Sequence, residues 1–236
     1  MVTKQGTLFG VGVGPGDPEL MTLKAWRLVS TAPVIAYLAA NGKDSTARDI
    51  AKPYLNPEAQ HLVIDMPMRV EREPGEQAYD AGAAAIVTHL DAGRDVVMLC
   101  EGDPFFYGSF MYVFARLAAS HPCVIVPGVT SITASAASLR RPLSARNEVL
   151  KVLPATLPED RLRDELMTAE SAAIIKVGRH LPKLRGILGM LDLASRAHVI
   201  IKATQKDEVV TPLLAITEDH LPYFSTILVY SGAETW

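Results

Sequence analysis

The sequence is poor in the residues that build disulfide frameworks and metal centres. It contains two cysteines, Cys100 and Cys123, and both lie in apolar runs that are typical of buried strands. Neither these cysteines nor the six scattered histidines have the spacing of a zinc site. The G-x-S-x-G motif that carries a nucleophilic serine is also missing. These absences argue against a disulfide-rich domain, a bound metal and covalent catalysis by serine.

The chain also lacks a strong charge of either sign and a long hydrophobic run. Its 236 residues carry a formal net charge of −3, which offers no basic surface to nucleic acid. No apolar run approaches the ~18 residues that a membrane span needs, and Gly10, Gly12 and Gly14 interrupt the stretch where a signal peptide would be apolar. We therefore expect a soluble, cytoplasmic protein with no nucleic-acid or membrane partner.

What the chain does contain is the alternation of strands and helices of an α/β protein. Hydrophobic residues make up 49% and charged residues 21%, so a large core is expected. In the first part, short apolar runs alternate with helical stripes and predict a mostly parallel sheet, with strands at residues 7–13, 33–38, 61–66, 95–100 and 123–126. In the second part, fewer such units predict a mixed sheet, with strands at residues 148–153, 171–177, 199–203 and 225–230. Arg140-Arg141-Pro142 breaks the pattern, so we predict two α/β domains, 1–141 and 142–236.

The loop Glu101–Gly108 is the strongest candidate for a ligand site. It follows the apolar run 95–100 and precedes a helical stripe that begins at Phe110. In open α/β sheets, ligands bind at the carboxyl ends of the strands. From these residues alone, however, a simple strand-to-helix turn with Asp103 as the helix cap explains the loop equally well.

Other strand ends offer weaker signals. Asp17 and Pro18 predict a helix start at Pro18, Thr156 and Glu159 predict a capping box, and Thr130 and Ser131 place hydroxyls after a strand. The glycines of residues 10–16 suggest a nicotinamide-dependent oxidoreductase. Proline displaces the helix from those glycines, and the next strand lacks the acid that would hold a ribose. That oxidoreductase and a non-catalytic binding module remain as alternative hypotheses.

The order of four motifs along the chain resembles the tetrapyrrole methylase family: GVGPGDPELMTLKA, EGDPFFYG, VPGVTS and IIKVGR. The resemblance implies two α/β domains with S-adenosylmethionine in the cleft between them. It places the cofactor contacts on Pro15, Glu101, Gly102, Asp103, Phe106, Thr130, Ser131, Val177 and Ala203. It also implies a homodimer and a reaction that needs no metal.

Within the family, three segments are most similar to the members that methylate carbon C-20 of precorrin-2 in cobalamin biosynthesis: LPATLP, IIKVGRHLPK and PYFS. Enzymes that use the cobalt-containing substrate, or that methylate another carbon, are the alternatives within the family. The resemblance gives catalytic roles to Asp103, which would hold the site and stabilise the sulfonium, and to Tyr107, a polar contact for the substrate. Leu38 replaces an acid that has been proposed as catalytic in the family. The carboxylates of the substrate would be bound by Arg140, Arg141, Arg146, Lys176 and Arg179.

Overall fold

The computed structural model describes residues 5–40, 45–67 and 72–232. The chain divides into two units, Met1–Thr130 and Ser131–Trp236. Each unit is built around its own five-stranded sheet. The predicted α/β class with two sheets is therefore confirmed.

The sheet of the first unit is entirely parallel, with the spatial order β3-β2-β4-β1-β5. Its strands are β1 (Leu8–Gly12), β2 (Val34–Ala40), β3 (Gln60–Met66), β4 (Val96–Cys100) and β5 (Cys123–Val126). Each predicted strand of this part matches one of them, with differences only at the ends. The parallel sheet follows from the alternation of apolar runs and helical stripes, because parallel neighbours need a crossover between them.

Helices cover both faces of this sheet. They are α1 (Leu23–Thr31), α2 (Thr46–Ala51), α3 (Arg72–Asp91) and α4 (Phe110–Leu117). Side chains alternate along a strand, so Val97 and Leu99 pack in one cluster with α1 and α2, whereas Val96 and Met98 pack in another with α3 and α4. Burial on both faces explains why β1, β2 and β4 are continuously apolar. The edge strand β3 is more exposed and carries polar side chains.

The first helix begins later than the sequence predicted. Asp17 accepts a hydrogen bond from the N–H of Glu19 at 2.9 Å, but it caps only a single 3-10 turn, Pro18–Leu20. Met21 is extended, and α1 then begins after Thr22, whose hydroxyl accepts from Ala25 N–H at 3.2 Å. The predicted cap at Asp17 and start at Pro18 are therefore found, but for a 3-10 turn only, and α1 itself begins after a second cap a few residues further on.

The sheet of the second unit is mixed, with the order β6-β7-β10-β8-β9, and only β6 and β7 pair in parallel. Its strands are β6 (Leu150–Pro154), β7 (Ser171–Ile175), β8 (Ala197–Ile201), β9 (Val209–Pro212) and β10 (Ser225–Tyr230). Its helices are α5 (Ser131–Leu139), α6 (Glu159–Met167) and α7 (Leu181–Met190). The predicted mixed sheet is confirmed, and β9 is a strand that the sequence did not predict.

Two features of the second unit differ from expectation. The predicted capping box is wrong, since Pro158 precedes α6 without a capping side-chain hydrogen bond and Glu159 is already helical. Helix α5 belongs to the second unit, because it contacts β8 and β10; the predicted domain boundary lies beyond this helix. Among the helices of the described ranges, none is long and apolar enough to cross a membrane.

Candidate active site

The carboxyl ends of β1 and β4 form the topological switch point of the first sheet. The two strands are parallel neighbours, but the chain leaves β1 towards β2 on one side and leaves β4 towards β5 on the other. The helices that follow them, α1 and α4, consequently pack in different clusters. Such a point opens a crevice at the strand ends and is where α/β proteins bind ligands. The loops predicted after residues 13 and 100 both begin there.

Backbone packs directly against backbone at this switch point. Gly102 N–H donates to Gly14 O at 2.8 Å, and Gly14 N–H donates back to Gly102 O at 3.4 Å. A Cβ atom on Gly128, which follows β5, would lie 2.0 Å from Gly102 O, and one on Gly12 would lie 2.5 Å from the same oxygen. Side chains at these positions would force the ends of β1, β4 and β5 apart. The glycines therefore hold three strand ends together.

The side chain of Asp103 forms hydrogen bonds within the loop after β4 and to the loop after β5. Its Oδ1 accepts hydrogen bonds from Phe105 N–H at 2.9 Å and Phe106 N–H at 3.0 Å, as a cap would. Its Oδ2 accepts from Gly128 N–H at 3.0 Å, which joins the β4 loop to the β5 loop. The geometry thus supports the cap and adds a cross-link between strand ends. The catalytic role that the resemblance implied stays a prediction.

Glu101 is the second carboxylate of this loop, and its environment differs. Its Oε1 accepts from the N–H of Ala47, in the first turn of α2, at 3.1 Å. Glu101 is exposed as a residue, but the surrounding protein partly desolvates its carboxylate, and this desolvation raises the pKa of Glu101. Backbone N–H groups oppose the rise without cancelling it.

Three aromatic side chains follow Asp103. Phe105 is 46% exposed, while its ring packs edge-on against Phe114 with 5.1 Å between centroids. Tyr107 is 44% exposed and lies edge-on to Phe106 at 5.2 Å. Its φ of 56° is rare for an aromatic residue and is stored strain of the kind found at ligand sites. The loop thus presents a partly open aromatic surface.

The remaining candidates of the first sheet edge lie nearby in the chain. Pro15 is buried directly after Gly14, and Thr130 follows Gly128 and is half-buried. Ser131 is the exposed first residue of α5. The ends of β1, β4 and β5 therefore bring together Pro15, Glu101, Gly102, Asp103, Phe106 and Thr130.

Val177 and Ala203 lie at one edge of the second sheet. β7 and β8 both run antiparallel to β10, so their carboxyl ends point the same way. Both side chains are buried, Val177 completely, so any ligand would meet their backbone rather than their side chains. The backbone there is strained, with a φ of 58° at Lys176 and 52° at Lys202. Whether these strand ends contact a cofactor stays a prediction.

The basic candidates differ in what they contact. Arg140, Arg146, Lys176 and Arg179 are exposed. Arg141 instead lies over the ring of Tyr230, 4.0 Å from its centroid. Burial raises the pKa of Tyr230 to about 12, although the Arg141 charge opposes the rise. This cation–π contact ties the end of α5 to β10 and occupies one face of the guanidinium.

Sequence patterns missed two residues that organise the loops. Ala47 holds Glu101 from 54 residues away, and no local signal marks that contact. In the second unit, Glu208 accepts from both Ser138 Oγ and Thr204 N–H, which connects α5 to the loop after β8. Within the described residues, no three His, Cys, Asp or Glu side chains cluster as metal ligands would.

Relatives of known name match along most of the chain. A protein of Sinorhizobium sp named precorrin-2 C(20)-methyltransferase is 39% identical over 232 residues, which cover 95% of each chain. The cobalamin biosynthesis protein CobIJ of Mycobacterium bovis is 41% identical over 98% of this chain, but the chain spans about half of that relative, 47%. A cobalt-precorrin-2 C(20)-methyltransferase of Salmonella typhimurium is 30% identical over 95% of this chain and 96% of its own.

Solved structures share the fold. A cobalt precorrin-4 methyltransferase superposes with a TM-score of 0.75 at 25% identity, covering 95% of this chain and 94% of its own. The uroporphyrin-III C-methyl transferase of Thermus thermophilus, complexed with S-adenyl homocysteine, gives 0.70 at 25% identity, covering 95% and 97%. The sequence model of the Tetrapyrrole (Corrin/Porphyrin) Methylases matches residues 7–215. This chain is therefore a member of the tetrapyrrole methylase family.

Proposed function

We propose that this protein transfers a methyl group from S-adenosylmethionine to carbon C-20 of precorrin-2, giving precorrin-3A, a step of cobalamin biosynthesis. The observation that carries the proposal is the 39% identity, over 95% of both chains, with a relative named precorrin-2 C(20)-methyltransferase. The relative named for the cobalt-containing substrate is 30% identical. Cobalt-precorrin-2 is therefore the second candidate substrate.

The proposed place of the methyl donor is the switch point of the first sheet. Support comes from the converging ends of β1, β4 and β5, where glycines let the loops approach closely. The aromatic surface of Phe105 and Tyr107 lies on the same loop as Asp103. A structural relative has been solved with S-adenyl homocysteine, the demethylated donor, which supports the same co-substrate for this protein.

The proposed mechanism does not require a side chain to activate the methyl group. When bound, S-adenosylmethionine supplies a methyl group already activated by its sulfonium. The task of the chain is to align the reactants and exclude water. Asp103 does this indirectly by fixing the backbone of Phe105, Phe106 and Gly128. The methyl group would pass from the sulfur of the donor to C-20 of the substrate, with S-adenosylhomocysteine as the leaving group, and the proton that C-20 gives up would pass to solvent.

The substrate carries many carboxylates, and we propose that exposed cations of the second unit bind them. Arg140, Arg146, Lys176 and Arg179 have the exposure this requires. Guanidinium and ammonium groups form their strongest hydrogen bonds with carboxylates. We expect the KM for the tetrapyrrole to rise with ionic strength, because exposed ion pairs are screened by salt.

We also propose a cytoplasmic homodimer that works without a metal, as the family resemblance predicts. Light scattering at micromolar concentration should report about twice the 25.5 kDa of one chain. A mass of a single chain would contradict the dimer. Treatment with a chelator should leave turnover unchanged, and a loss restored by one added metal would contradict the metal-free reaction.

The decisive experiment follows the methyl group. The protein is incubated with S-adenosylmethionine labelled with ¹³C in its methyl group and with either precorrin-2 or its cobalt form. We expect one new ¹³C signal on C-20 of the product, with faster turnover of the metal-free substrate. A methyl group on another carbon refutes the substrate assignment. Nicotinamide binding without binding of the methyl donor would favour the oxidoreductase, and donor binding without turnover on any tetrapyrrole would favour a binding module.

A further inference from the structure

We infer that Glu101 distinguishes the methyl donor from its demethylated product, because its carboxylate attracts the positive sulfonium that only the donor carries. The inference rests on the proposed function and adds a role for one side chain. S-adenosylmethionine and S-adenosylhomocysteine share an α-amino group, a carboxylate and an adenosine. They differ in the methyl group and in the charge on sulfur.

The first support is the position of the side chain. Glu101 directly follows β4, at the switch point of the sheet. The hydrogen bond from Ala47 N–H to Oε1 fixes the orientation of the carboxylate. The N–H of Glu101 itself also donates to the carboxylate. Two backbone N–H groups thus orient the carboxylate, and the exposed side chain remains accessible to a ligand.

The second support is an uncompensated charge. Desolvation raises the pKa of Glu101, and the groups that oppose the rise are backbone N–H groups, not cations. Among the described residues, no Lys, Arg or His forms an ion pair with it. Its negative charge and that of Asp103 instead add to each other, because both raise the pKa of buried Cys100. Glu101 is exposed and has no cation beside it among the described residues, so its carboxylate suits a cationic ligand.

The chemistry of the candidates selects the sulfonium. A metal ion needs several ligands, and the described residues contain no cluster of three. The carboxylates of the tetrapyrrole cannot pair with this carboxylate. The methyl donor carries two positive groups, the α-ammonium that it shares with the product and the sulfonium that it alone carries, so a preference for the donor over the product reports the sulfonium. Once the methyl group has left, the sulfur is neutral and the attraction is lost, which favours release of the product.

The test compares the two ligands on the full-length protein and one variant. Titration calorimetry gives the Kd of S-adenosylmethionine and of S-adenosylhomocysteine, and their ratio is the readout. Glu101→Gln keeps an oxygen that can accept from Ala47 N–H but removes the charge. We expect the variant to lose about tenfold or more of the preference for the donor, since charges a few ångströms apart near a protein surface interact by several kcal/mol. The matched control is Glu19→Gln, which removes an exposed carboxylate from the loop after β1 and should leave the ratio unchanged.

A second measurement uses the unmodified protein, so it does not depend on the folding of a variant. The preference of the unmodified protein for the donor should fall as the pH is lowered through the raised pKa of Glu101, because the neutral carboxyl no longer attracts the sulfonium. The other titratable or charged groups of the surrounding elements are Cys100, Asp103 and Tyr107 on its own strand and loop, Asp17 and Glu19 after β1, and Arg48 and Asp49 on α2. Glu101→Gln retains all of these, so its ratio should depend less on pH.

The outcomes separate this inference from the proposed function. Intact binding of both ligands with the same ratio in the protein and in Glu101→Gln overturns the role of Glu101 and leaves the proposed function standing. An equal change in Glu19→Gln also overturns it, because the effect would then be one of net charge. If the unmodified protein binds neither ligand, the proposed function fails and this inference fails with it.

Discussion

Removal of the Asp103 carboxylate should loosen the first sheet at its strand ends. In Asp103→Ala, three N–H groups lose their acceptor: those of Phe105, Phe106 and Gly128. The Phe105 bond is exposed and water can replace it at little cost, whereas the other two are part-buried. A hydrogen bond to a charged group contributes about 1.5–3 kcal/mol. Because the two bonds are only part-buried, we take the lower value for each and expect a loss of about 3 kcal/mol. For a chain of this size, the melting temperature should fall by about 6–12 °C.

Two further variants make this prediction specific. Asp103→Asn retains one carbonyl oxygen, which can serve either the capping pair or Gly128 but not both, so about half of the loss should remain. Asp17→Ala removes a similar carboxylate from an exposed turn at Glu19 and should cost about 1 kcal/mol or less. The melting temperature comes from circular dichroism and the Kd of S-adenosylhomocysteine from calorimetry. The reasoning is refuted if Asp103→Ala melts no earlier than Asp17→Ala.

Three more predictions follow from close contacts and shifted pKa values. Gly128→Ala should lower the free energy of unfolding by at least about 3 kcal/mol, because its Cβ would lie 2.0 Å from Gly102 O. Gly186→Ala, with no atom within 4 Å of its Cβ, should raise it by about 0.5–1 kcal/mol. Equal urea midpoints for the two variants would contradict this reasoning. At pH values above the raised pKa of Glu101, Glu101→Gln should increase the melting temperature, because only the ionised carboxyl resists desolvation. This gain should vanish as the pH falls towards 4.5, the ordinary pKa of a glutamate. A gain that does not depend on pH would contradict the assignment. Burial raises the pKa of Tyr230 to about 12. The free energy of unfolding should therefore fall between about pH 10 and about pH 12, because the tyrosine ionises first in the unfolded state. Tyr230→Phe should remove that fall in urea titrations, and an unchanged fall in the variant would show that another group causes it.

The elements that the sequence predicted best are the buried ones. The central strands β1, β2 and β4 are apolar on both faces, so their runs were visible without knowledge of their neighbours. Strand β9 was not predicted because it has only four residues, lies at an edge of its sheet and is mostly exposed. The start of α1 was hard to predict because two good capping residues lie close together in the sequence. Asp17 caps the 3-10 turn, and Thr22 caps α1.

The position of the candidate loop along the chain was predictable from the sequence, but its contacts with distant residues were not. The loop after residue 100 was visible as a strand end with a carboxylate before a helix. Its partners were not visible, because Ala47 lies 54 residues from Glu101 and Gly128 lies 25 residues from Asp103. Such contacts depend on strand order, and several orders are compatible with the same alternation of elements.

By itself the sequence determined the α/β class, the two sheets and the family, since hydrophobic periodicity and spaced motifs are local properties of the chain. Only the tertiary structure decided what the motif residues do. It placed three glycine-bearing strand ends in backbone contact, bonded both oxygens of Asp103 to backbone, and left Glu101 desolvated without a cation among the described residues. The physical reason is that hydrogen-bond partners and desolvation depend on which distant segments lie alongside. Strand pairing sets that arrangement, and no short stretch of sequence encodes it.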